Sequence, residues 1–169
     1  MTFPGAPMDK DAFTQVLQKF PLPVTVVTVG RGGAENALTV SWVCPASFDP
    51  PQIMFAADLH HYSVDFLRST KNFAVNVLRE GQTRLAAHFS RQSMAHEDKL
   101  AAATTREGDS GAAILTDALS YLDCEVAALY ETGDHVIVVG NVVDAGVLNE
   151  GAPLTTAAGL RYTKAGPGR

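Results

Sequence analysis

The chain has 169 residues, a net charge of −5 and a pI near 5.4, which argues against nucleic acid or an anionic membrane as its main partner while leaving room for a local basic pocket that holds one phosphate. Apolar residues make up 46% and charged residues 18%, a balance that suits one folded domain with its own core and excludes a disordered chain. Cys44 and Cys124 show neither metal-type spacing nor a disulfide framework, no apolar run approaches the roughly 18 residues of a membrane span, and the first ten residues lack the basic and apolar regions of a signal peptide. The expectation is a cytoplasmic protein whose single domain covers residues 9–164, with flexible termini at 1–8 and 165–169.

In chain order, residues 9–20 read as a helix. Phe13, Val16, Leu17 and Phe20 fall at helical spacing, Asp9 or Asp11 can serve the first turn, and Pro21 and Pro23 stop it. The β-branched run V-T-V-V-T-V at 24–29 is a strand, and Gly30-Arg31-Gly32-Gly33 is a turn that pairs it with the next stretch as a hairpin. That stretch, N-A-L-T-V-S-W-V-C-P-A-S-F-D-P-P at 36–51, reads as a strand, a turn and the entry to a second strand. Thr39 and Ser41 fall on one face; Leu38, Val40, Trp42 and Cys44 fall on the other. A hydroxyl-lined strand ending in a Pro-Pro stop suits the wall of a ligand site.

Residues 52–57 form a further strand, 63–67 a short helix capped by Ser63, and 72–78 an alternating strand. Residues 83–89 and 96–103 are short helical pieces. Residues 122–130 form a strand with Asp123 and Glu125 on one face and Leu122, Cys124 and Val126 on the other; 135–148 is a long strand broken near Gly140. Strands joined by short turns, with short helices inserted, argue for an antiparallel barrel.

Several chemistries lack their signatures. There is no G-x-x-x-x-G-K-[ST] loop and no G-x-S-x-G elbow, and the G-R-G-G run lacks the third glycine and following helix of a dinucleotide fingerprint. His60 and His61 are adjacent, and His88 and His96 have no carboxylate at ligand spacing, so no metal site is expected. What remains are hydroxyls and cations at element ends. Ser63 stands at a helix start, where free N–H groups favour an anion. Ser90, Arg91 and Ser93 form S-R-Q-S, with Lys99 close behind. Singly, these are an ordinary cap and solvated charges; together they match the donors a phosphate monoester needs.

These pieces resemble the flavin reductase-like family of FMN-binding split barrels, which includes flavoredoxins and the reductase components of two-component monooxygenases. The pieces run in order along nearly the whole chain: F-P-L-P-V-T-V-V-T-V at 20–29, the segment at 36–51, F-A-V-N-V-L at 73–78, L-A-A-H-F-S-R-Q-S at 85–93 with Asp98-Lys99, G-D-H-V-I-V-V-G-N-V at 133–142, and G-L-R-Y at 159–162. The sequence departs from the family pattern at Asn36-Ala37, where Asn-Gly is usual, at Ser90 and Gln92, and at G-L-R-Y, where P-L-x-Y is usual.

The resemblance implies a mainly β fold, a six-stranded antiparallel Greek-key split β-barrel with short flanking helices, assembled as a homodimer. It implies FMN, or FAD, as the flavin and NAD(P)H as co-substrate. Asn36, Thr39, Ser41, Trp42, Val43, Cys44, Ala46 and Ser47 would line the isoalloxazine and ribityl chain. Ser63, Phe89, Ser90, Arg91, Ser93 and Lys99 would hold the phosphate end, and His135 would stand on the nicotinamide side. The implied activity is NAD(P)H:flavin reduction that serves a partner monooxygenase or another electron acceptor. A tightly held FMN that carries electrons between proteins, as in flavoredoxins, is the alternative; a barrel of this type holding haem or a deazaflavin is a third.

Overall fold

The computed structural model describes residues 8–91 and 98–159. Helix α1, Lys10–Leu17, starts where the Asp9 carboxylate accepts the Asp11 N–H at 2.9 Å. It ends three residues earlier than its apolar spacing suggested, and none of its residues is buried: Phe13 and Val16 are exposed, as is Phe20 beyond its end.

Strands β1, Thr25–Arg31, and β2, Ala34–Val40, form the expected hairpin. Gly32 and Gly33 both take positive φ, 66° and 86°, as a tight two-residue turn between twisted strands requires. The V-T-V-V-T-V run is buried on both faces. Val27 and Val29 enter one core, Val24 and Val26 a second, and the Thr25 and Thr28 hydroxyls donate to the carbonyls of Val40 and Ala113.

The stretch after β2 breaks at Ser41–Trp42 and resumes as β3, Val43–Phe48, which turns into β4, Pro51–Asp58. Helix α2, Ser63–Thr70, leads to β5, Asn72–Val77, and α3, Thr83–Ser90, follows. A short 3₁₀ turn, Lys99–Ala102, stands where a helical piece over 96–103 was expected; its first part lies outside the described residues. Two short strands escaped the sequence reading, β6, Thr105–Glu107, and β7, Ala113–Leu115. The long hairpin β8, Ser120–Thr132, with β9, His135–Val147, completes the sheet.

The main sheet is antiparallel, with seven strands in the order β2-β1-β5-β8-β9-β4-β3; β6 and β7 pair separately. This differs from a six-stranded closed barrel. The break at Ser41–Trp42 divides the 36–51 stretch into two strands, which become the two edges of an open ladder. The sheet nevertheless wraps one core: Leu38 and Val40 from β2 pack in the same cluster as Ile53, Phe55 and Ala57 from β4 and Val136 and Val138 from β9. A second cluster lies under α3 and unites Val24, Val26 and Ala37 with Ala86, Phe89, Leu100 and Leu115.

One expectation for β9 changes, and β8 holds Asp123 away from solvent. It is fully buried, and the Ser110 backbone N–H and hydroxyl donate to its two carboxylate oxygens. Alternation names the face, but the segment leading into β7 covers it. Strand β9 is continuous through Gly140, which pairs with Ile53 and Val126; the irregularities fall between Asp123 and Cys124 and between Val126 and Ala128 of β8. Gly140 is needed because a Cβ there would run into the Phe73 ring.

Candidate functional site

The 36–51 stretch links two different environments. At its start, Ala37 is buried beside α3. At its break, Trp42 sits on an apolar groove of about 460 Å³ formed with Val43, Cys44, Met54 and Ile137 and with Phe13, Leu17 and Phe20 of the α1 segment. Five residues of nearly extended chain separate Ala37 from Trp42, about 16 Å at the rise of a strand.

The polar end is organised by Lys99, which is 1% exposed. Its ammonium donates to three carbonyls, Ala37 O at 3.1 Å, Phe89 O at 3.0 Å and Arg91 O at 2.5 Å. Lys99 therefore ties the end of α3 to β2 and brings a positive charge into the interior, where carbonyl oxygens satisfy it.

Ser63 does not cap α2. It is the first helical residue, Tyr62 precedes it without a side-chain cap, and the Ser63 N–H donates instead to His61 Nδ1 at 3.2 Å. The Ser63 hydroxyl is fully buried and has no hydrogen-bond partner among the described residues. His61 is pushed down to about 4 by burial first and by the Lys99 charge second, with Asp58 opposing. The Lys99 charge thus reaches the start of α2, where Ser63 stands. A buried hydroxyl in need of a partner, at a helix start whose neighbouring His61 feels a buried cation, suits an anion such as a phosphate.

Arg91 follows α3. Its guanidinium donates to His88 Nδ1 at 3.2 Å, and His88 Nε2 bonds the Lys99 carbonyl at 3.0 Å. Ser90 is exposed, and its hydroxyl donates to Ala87 O. Phe89 is fully buried in the second core, so its side chain is packing and only its carbonyl faces Lys99. Ser93 lies outside the described residues, as does Tyr162.

Along the strand, Asn36 is buried and its Oδ1 accepts the Ala37 N–H. The Thr39 hydroxyl donates to Ala86 O at 2.7 Å, so its proton ties β2 to α3. Past the break the two-residue alternation no longer holds: Trp42 is half-buried and Cys44 exposed, where Leu38 and Val40 are core. Ser41, Val43 and Ser47 are half-buried, and Ala46 is the exposed extra residue at a register shift between Pro45 and Ser47. At the far end, Trp42 meets His135, with ring centroids 4.9 Å apart and planes tilted by 33°. Asp134 Oδ1 lies 2.6 Å from His135 Nδ1. Among the described residues no cluster of His, Cys, Asp and Glu suits a metal ion.

The sequence profile of the flavin reductase like domain matches residues 17–164. The chain belongs to this family. Diflavin flavoprotein A 1 of Synechocystis sp. is 35% identical over 123 residues, which are 72% of this chain and 22% of that protein. The chain thus spans about a fifth of the length of the diflavin flavoproteins it matches. The solved structure of the NADH:FAD oxidoreductase of Streptomyces globisporus superposes with a TM-score of 0.82 at 30% identity and covers 97% of this chain and 99% of its own. The flavin reductase component of a bacterial two-component tryptophan halogenase superposes with a TM-score of 0.80 at 26% identity and covers 88% and 93%.

Two participants were missed in the sequence. His61 precedes Ser63 by two residues and accepts its N–H; His88 precedes Arg91 by three and accepts its guanidinium. The spacing between α3's last turn and the residue after it was the available signal for His88. For His61 there was none, because only the fold brings Lys99 near it.

Proposed function

We propose that this domain is an NAD(P)H:flavin oxidoreductase that takes a hydride from a nicotinamide onto FMN or FAD. The observation that carries the reading is the course of the 36–51 stretch, which runs from Ala37, bonded to the buried Lys99, to the Trp42–His135 pair. When bound, the flavin supplies the hydride and electron chemistry, so the protein needs no acid–base dyad of its own. Ser63, Arg91 and Ser90 hold the phosphate, with Lys99 fixing the loop beneath them. Asn36, Thr39, Ser41, Val43, Cys44, Ala46 and Ser47 line the ring and ribityl chain. Trp42 shapes the flavin edge, and His135, held by Asp134, orients the nicotinamide. The reductase names carried by the Streptomyces and halogenase-system structures support this reading, as does the halogenase system for a partner oxygenase.

Anaerobic mixing of the flavin-loaded protein with NADH and with NADPH tests it: the flavin band bleaches with at least one of them. A flavin that stays oxidised with both would leave the second reading, an electron carrier. That reading draws support from the diflavin flavoproteins, in which a stretch like this chain is a fifth of a longer protein.

We further propose a homodimer in which the sheet, open in one chain, completes the family's split barrel. The exposed apolar residues Phe13 and Val16 on α1, Phe20 just after it and the fully exposed Phe48 at the β3–β4 turn support an interface. Among the described residues no helix is long and apolar enough to cross a membrane; a cytoplasmic location is part of the same proposal.

A further inference from the structure

His61 uses only one of its two ring nitrogens. Its Nδ1 lies 3.2 Å from the Ser63 backbone nitrogen, which can only donate, so Nδ1 is the acceptor. A ring that accepts at Nδ1 carries its proton on Nε2. Burial first, and the Lys99 charge second, push the imidazole down to about 4, so at pH 8 it is neutral. Its Nε2–H is then a donor with no hydrogen-bond partner among the described residues.

The start of α2 cannot bond an anion through its backbone. The Ser63 N–H is spent on the His61 ring, and the Val64 and Asp65 N–H groups donate to the carbonyls of His61 and Tyr62. The positive end of the helix dipole remains, but direct bonds there must come from side chains. Two side chains are available: the half-buried His61 imidazole and the Ser63 hydroxyl, fully buried and also without a partner among the described residues. The Lys99 charge acts on this imidazole, and the Lys99 ammonium bonds the Arg91 carbonyl, so the start of α2 and the residue after α3 share one buried cation. The carboxylates nearby are engaged elsewhere. Asp58 accepts the His60 N–H at 2.8 Å, and the exposed Asp65 stands 3.8 Å from Arg68.

We propose that His61 is a ligand of the flavin phosphate: its Nε2–H donates to a phosphate oxygen while its Nδ1 holds the Ser63 N–H. This rests on the reading of Ser63 and Arg91 as the phosphate end of the site. The imidazole adds a directional donor and no charge of its own. The bond is still charge-assisted, because the acceptor is ionised. The bond to Ser63 fixes the ring before the anion arrives, so less side-chain freedom is lost on binding.

Two amides divide the ring's two roles between them. His61→Asn places an amide oxygen at the Nδ1 position, keeps the acceptor for the Ser63 N–H and does not reach as far as Nε2. His61→Gln reaches the Nε2 position with an amide N–H and leaves the Ser63 N–H without its acceptor. The full chain and both variants are titrated at pH 8 with FMN and with riboflavin by flavin fluorescence quenching; riboflavin, which has no phosphate, reports whether the rest of the site is intact. The natural protein prefers FMN, His61→Asn loses about tenfold of that preference, and His61→Gln keeps most of it. A ring that only braces the helix start gives the reverse order. That reverse order, or equal preferences in the two variants, overturns the inference and leaves the flavin reading standing. Equal affinity of the natural protein for the two flavins overturns the phosphate end and this inference together, and failure to bind either flavin overturns the flavin reading as well.

Discussion

Trp42 and His135 lie in different thirds of the chain, and their rings meet at 4.9 Å. The contact forms because β3 and β9 both flank β4: Ala56 N–H donates to the Trp42 carbonyl, while Asp58 pairs with His135. One residue comes from the stretch expected to line the flavin and the other from the piece expected on the nicotinamide side. His135→Ala should slow flavin reduction by NAD(P)H by about tenfold, the low end for a group that positions a reactant, while flavin stays bound. Stopped-flow reduction under anaerobic conditions, with binding checked by fluorescence quenching, decides this. An unchanged rate returns His135 to a surface role.

Arg91→Ala should weaken FMN by about tenfold to a hundredfold and riboflavin little, because only FMN carries the phosphate that a charge-assisted bond would hold. Parallel titrations with the two flavins measure the difference. Equal losses would place the phosphate elsewhere.

Lys99→Met should lower stability by about 2–4 kcal/mol, since it strands three carbonyls whose common partner is a buried ammonium. Chemical denaturation measures this. A loss well under 1 kcal/mol would show that water replaces the ammonium without penalty.

Stability should fall on acidification through His61. Its folded value, about 4, is below the ordinary histidine value of 6.5, so the unfolded chain binds the proton first. The contribution is complete above about pH 6.5 and is lost as the pH falls toward 4, to a limit of about 3 kcal/mol. Denaturation midpoints across that window, compared with those of His61→Asn, isolate the effect: the variant's slope should be flatter. Equal slopes would remove His61 as the source.

Gly140→Ala should cost about 1–3 kcal/mol, because the added methyl must displace the Phe73 ring, itself packed edge-to-face on Phe55 at 5.1 Å. A thermal melt reads the loss directly, and an unaffected melting temperature would mean that the ring yields freely.

Much of this protein is local and was legible in the residues. The Gly32–Gly33 turn needs positive φ, the V-T-V-V-T-V run needs two covered faces, and Asp9 caps the helix it precedes. The ordered pieces from residue 20 to residue 162 were enough to indicate the family. Tertiary structure decided the rest. Alternation along a strand separates two faces but does not say what covers either; Asp123 is buried because a distant segment folds over it. A lysine in sequence is equally a surface charge, a phosphate ligand or a buried tie. Lys99 is buried because α3, the residue after it and β2 bring three carbonyls to one point, which a desolvated ammonium needs. Arg91 and His135 were candidates by type and order. The His88 imidazole and the Trp42 ring that hold them are set by how the chain returns on itself, which no spacing along it records.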